Sequence, residues 1–129
     1  MKKQLNLLER VISFETACSE VKKDSKAEWY SFDNKHVNYK EVCGRRLEVI
    51  SEAIRQKDII DIYDHSQKKY RGWFETTTDG TFRFYCVSDF YRLVDFPSWT
   101  FQLTEAKAEH LFSHPNFLPL WRGYLTGEK

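Results

Sequence analysis

The sequence predicts an α+β fold in which a mostly antiparallel sheet packs against two N-terminal amphipathic helices, with a short C-terminal helix. Three observations carry this. Apolar residues recur at helical spacing twice before residue 57, the period then changes to two, and an Asp-Gly pair sits between two β-rich runs. At 129 residues, with five Gly and three Pro, the chain has the size of one domain, spanning residues 1–129, and no composition of a disordered or linker segment.

Leu7, Val11, Phe14, Cys18 and Val21 step by four and three, which predicts a helix from about residue 4 to 23. The segment AEWYSFDN alternates, with Tyr30 and Phe32 on one face, and predicts a short strand. Asn38 followed by Glu41 has the form of a capping box. A second helix therefore starts there, with Cys43, Leu47, Ile50 and Ile54 on its apolar stripe and a stop at Lys57-Asp58.

IIDIYD at residues 59–64 predicts the first strand of a meander. KYRGWFETT and TFRFYCVS flank Asp79-Gly80, a hairpin signal in which a type I′ turn places both central residues at positive φ. With these two as the loop, Trp73 opposes Cys86, Phe74 opposes Tyr85 and Glu75 opposes Phe84. That register puts Trp73, Glu75, Phe82, Phe84 and Cys86 on one face and Phe74, Thr76, Arg83, Tyr85 and Val87 on the other. Phe82, Phe84 and Cys86 form the better core face, and Arg83 and Tyr85 the face toward water or a partner. FYRLVDF and WTFQL predict two further short strands, Thr104 an N-cap for a helix to about Phe112, and the tail from Asn116 a segment docked on the body.

The net charge of +1 provides no global field for nucleic acid. Twelve cations against nine anions over residues 1–57, and eight against ten over 58–129, form too small an asymmetry to name a partner. Cys18, Cys43 and Cys86 form neither a CxxC pair nor an even set, which predicts reduced thiols. The basic N-terminus meets Glu9, Arg10 and Glu15 before any apolar leader could form, so the expected compartment is the cytoplasm, with no membrane partner.

Candidate chemistry is thin. His110 and His114 at i and i+4 could face one metal ion, yet two ligands are not a site, and helix-end histidines commonly serve terminal carbonyls. Asp58, Asp61, Asp64 and Glu75 resemble a nuclease set but lack the Glu-x-Lys element. His36 or His65 near Lys68, Lys69 and Arg71 could serve a metal-free ribonuclease, as could many loop histidines. No catalytic residue, metal site or cofactor is assigned.

Lys69, Arg71, Arg83 and Tyr85 are the predicted binding residues, on an exposed margin of the hairpin. The expected function is a small, noncatalytic protein that binds another protein: an inhibitor, immunity or anti-defence accessory of phage or mobile-element type. The alternative is a nucleic-acid-binding or RNase-like protein, since KKYRGW mixes cations with stacking surfaces. Trp121 and Arg122 are the place to look if the hairpin proves to be scaffold.

Overall fold

A computed structural model describes residues 6–92 and 96–129. The class is α+β, with five helices and a two-stranded antiparallel sheet among those residues.

The first apolar stripe belongs to two helices, α1 (Leu7–Arg10) and α2 (Phe14–Val21). Ser13 breaks the run. Its hydroxyl accepts the Thr16 N–H while Thr16 Oγ1 accepts the N–H groups of Ser13 and Ile12. This reciprocal cap restarts the helix where periodicity alone reads straight through. Val11, Phe14 and Cys18 are still buried together.

The predicted strand at 27–34 is a 3-10 turn, Glu28–Tyr30, held by side chains rather than by a ladder. The Tyr30 ring meets Phe14 edge-on at 5.0 Å, and Arg46 Nε donates to the Tyr30 carbonyl. The same guanidinium lies 4.7 Å over Phe14 and 4.1 Å over Phe32.

Helix α3 (Tyr39–Arg55) starts on Asn38, whose side chain accepts the Glu41 N–H. It is the central helix: Val42, Cys43, Leu47, Ile50, Ala53 and Ile54 are all buried. Both α2 and α5 pack against it.

The sheet is shorter than predicted. β1 (Lys69–Thr76) pairs antiparallel with β2 (Phe82–Phe90), and Tyr70 makes one further antiparallel bridge to Gln102, all that remains of the WTFQL strand. Residues 59–64 form no strand, and FYRLVDF contributes only the end of β2 before residues 93–95, which lie outside the described residues. The turn is not type I′ either. Gly80 has φ +89°, Asp79 is not left-handed, and the Gly80 N–H closes on the Thr77 carbonyl. Thr78, Asp79 and Gly80 thus form a three-residue loop with glycine at its left-handed position. Asp79 instead accepts from the hydroxyls of Thr77 and Thr81.

That extra loop residue shifts the inner pairs by one, to Phe74↔Phe84, Glu75↔Arg83 and Thr76↔Phe82. A bulge at Tyr85 then cancels the shift, so Trp73↔Cys86 and the pairs beyond it stand as expected. Phe74 therefore joins Phe82 and Phe84 on the core face, stacking on Phe82 at 4.9 Å.

The sheet rests on the C-terminal helices rather than on the N-terminal pair. α4 (Glu105–Ser113), capped by Thr104 as expected, lies across both strands. Gly72 permits this: a Cβ there would overlap the Phe112 ring. The tail is a helix, α5 (Leu118–Thr126), with Pro119 in the first turn where no backbone donor is needed. Trp121 on α5 is fully buried, donates Nε1 to the Leu111 carbonyl, and stacks on Phe112 at 4.4 Å.

Gly72→Ala is expected to destabilise the protein by about 1–3 kcal/mol through overpacking against Phe112, measured by denaturant unfolding. Gly80→Val, with a branched side chain at positive φ, should cost about 1–3 kcal/mol by the same measurement. At the α4–α5 corner, burial and then the neighbouring His110 hold the His114 imidazole below its ordinary value of 6.5. The unfolded chain then binds the proton more readily, so this contribution to stability is complete above about pH 6.5 and lost as pH falls through the folded value. His114→Gln should flatten the decline in melting temperature from about pH 7 to pH 5.

Candidate functional site

The two faces of the β1–β2 pair differ in chemistry. Phe74, Phe82 and Phe84 point to the core, whereas Arg71, Trp73 and Glu75 of β1 share the outer face with Arg83, Tyr85, Cys86 and Ser88 of β2. All four predicted binding residues, Lys69, Arg71, Arg83 and Tyr85, thus fall on one face by register. Their exposure differs sharply.

Tyr85, the extra residue of the bulge, is 64% exposed. Arg83 Nε lies 2.5 Å from Glu75 Oε1 across the strands. Trp73, missed by sequence reasoning, lies between these and Arg71; it is 43% exposed, and its indole N–H donates to Ser88 Oγ at 2.6 Å. That bond fixes the ring on the surface with its polar edge already satisfied.

Arg71 and Lys69 are not on an exposed margin. Arg71 is 4% exposed, its guanidinium held 4.0 Å from the Trp73 ring and 3.8 Å from the Phe96 ring. It stiffens Trp73 from behind. Lys69 is 1% exposed, and its ammonium donates to the carbonyls of Asp64, Gln67 and Tyr91 at 3.0–3.1 Å. Three donors meet three acceptors, the condition under which a buried ammonium is tolerated. Strand alternation alone leaves such a lysine on the surface, and the carbonyls that enclose it come from two separate loops.

Lys68, next to the start of β1, pairs with Asp89 at 3.1 Å on the side of Tyr70. The outer face therefore presents two exposed aromatic rings with the Arg83–Glu75 ion pair beside them.

The other candidates are dispersed. His110 Nε2 lies 2.6 Å from the Val11 carbonyl, and His114 Nδ1 accepts the Asn116 N–H, so each ring already spends a nitrogen on the backbone. Among the described residues no three metal-ligating side chains gather. Asp58 pairs with Lys107 at 2.9 Å rather than joining Asp61, Asp64 or Glu75. His36 and His65 occupy different loops, and His36 is hydrogen-bonded through its backbone N–H to Asn34. Trp121 is fully buried, and Arg122 pairs with Glu128. Burial raises the thiol pKa values of Cys18 and Cys43, keeping both protonated and unreactive. No helix among the described residues is long and apolar enough to cross a membrane.

No protein-family model, curated protein or solved structure matches the chain.

Proposed function

We propose that this protein is a noncatalytic binding module that docks on another protein through the outer face of β1–β2. The observation that carries the reading is the exposed pair Trp73 and Tyr85, each fixed by the strand frame and bordered by charges that pair within the face. Aromatic anchors with arginine beside them are the usual energetic centre of a protein interface.

The nucleic-acid reading needs cations free to meet phosphates. Here Arg83 is engaged by Glu75 and Lys68 by Asp89, while Lys69 lies inside. Within the protein-binding class, the small size and balanced charge support an inhibitor, immunity or accessory role, of the kind phage and mobile elements carry. Three free cysteines, two of them buried, support a reducing compartment such as the cytoplasm.

The test is affinity capture with the wild-type chain, followed by dissociation constants for the captured partner. Tyr85→Ala should weaken binding about tenfold or more at unchanged melting temperature, and Trp73→Ala by a similar factor with a lowered melting temperature, since its ring packs on Arg71 and bonds Ser88. Raising salt from about 50 to 200 mM should weaken it less than tenfold, where a nucleic-acid complex with several phosphate contacts loses about 10³-fold or more. Binding untouched by both substitutions, or a partner destroyed by nuclease, overturns the reading.

A further inference from the structure

Ile59, 79% exposed, and Tyr63, 85% exposed, are the most exposed large apolar side chains among the described residues. They lie on one loop, and that loop is braced. The Asp64 N–H closes a turn on the Asp61 carbonyl with Tyr63 at its third position, and the Tyr63 N–H donates to Asp61 Oδ1. A second turn follows at once, with the Gln67 N–H on the Asp64 carbonyl and the Ser66 N–H and hydroxyl on Asp64 Oδ1.

Two longer connections brace these turns, the first within the loop and the second from β1. The Gln67 carboxamide donates to the Ile59 carbonyl at 2.8 Å and accepts the Asp61 N–H at 2.9 Å. That is the pattern of one rung of a parallel ladder around Ile60, supplied by a side chain instead of a strand. Ile59, Asp61 and Tyr63 are exposed, and Ile60 and Ile62 are half-buried, as strand alternation requires. Lys69 is the second connection, drawing the Asp64 and Gln67 carbonyls inward together with Tyr91 of the neighbouring segment.

Burying an ammonium costs free energy unless every donor is met. Here the donors are met by the loop's own carbonyls, so the buried cation holds the loop in one shape. A loop whose shape is set before binding loses little entropy on docking.

The charge on the loop selects the partner. Residues 58–67 hold three aspartates and no lysine or arginine. Asp58 is neutralised by Lys107, while Asp61 and Asp64 are exposed beside Tyr63.

We propose that the loop from Ile59 to Gln67 is a second docking element, distinct from the outer hairpin face. It inserts Ile59 and Tyr63 into an apolar recess of a protein whose rim carries lysine or arginine, with Lys69 as the positioning residue. Nucleic acid is disfavoured by the same aspartates, since like charges repel.

The probe is a random-peptide display library selected on the intact wild-type chain. Selection should enrich peptides that combine large apolar residues with Lys or Arg. Ile59→Ser/Tyr63→Ser should cut recovery at least tenfold at unchanged melting temperature. Asp61→Asn/Asp64→Asn, which keeps the Oδ1 acceptors of both turns and removes only the charge, should abolish the basic bias. Tyr85→Ala should leave the enrichment intact, which separates this surface from the hairpin face. Lys69→Met should raise amide hydrogen exchange across residues 59–67 and lower peptide recovery. The proposal is overturned by no enrichment over a blank surface, by enrichment that survives Ile59→Ser/Tyr63→Ser, or by peptides without basic residues. Exchange unchanged in Lys69→Met overturns the positioning role.

Discussion

A buried indole organises the fold. Trp121 donates its N–H to the Leu111 carbonyl, which pins α5 to the last turns of α4. Its ring then meets Phe112 of α4, Phe74 of β1, Trp99 of the loop before α4 and Tyr124 one turn along α5. Each contact orients a different element. An indole N–H without an acceptor would be costly in this interior, so the Leu111 carbonyl fixes the ring's rotation, and the ring fixes its neighbours. Phe112 transmits the arrangement to the sheet, since it lies directly on Gly72. The outer face of the hairpin holds its position because the inner face is keyed to this stack.

The parts of the fold legible in the sequence are those where one local signal decides. Asn38 and Thr104 cap their helices, and the stripe Cys43, Leu47, Ile50, Ile54 is buried as spaced. The parts missed are those where two signals compete. Ser13 and Thr16 interrupt a stripe that stays continuous in space. Pro115 and Pro119 obscured α5, although Phe117, Leu120, Trp121 and Tyr124 have helical spacing and the second proline falls in the first turn. Residues 59–63 do alternate, yet among the described residues no strand pairs with them and a glutamine side chain takes its place. Period two reports which side chains face inward, and only tertiary contacts decide whether a ladder forms.

The candidate site divides along the same line. Arg83 and Tyr85 follow from alternation next to an Asp-Gly turn, and they are exposed. A two-residue loop puts Trp73 on the same face as Phe82 and Phe84; the three-residue loop and the bulge separate them. Lys69 and Arg71 are hidden by groups far along the chain, Tyr91 and Phe96, whose positions no local pattern encodes.

The four tryptophans also fall into two optical classes. Buried Trp121 and half-buried Trp99 stack nearly parallel, 6.3 Å apart with planes 12° from each other, close enough for their transitions to couple and give a circular-dichroism signal that vanishes when the stack opens. Trp29 and Trp73 face solvent, within reach of a soluble quencher. Interior melting and surface occlusion can therefore be followed separately in unlabelled protein, the first through the coupled pair and the second through the accessible fraction of the emission.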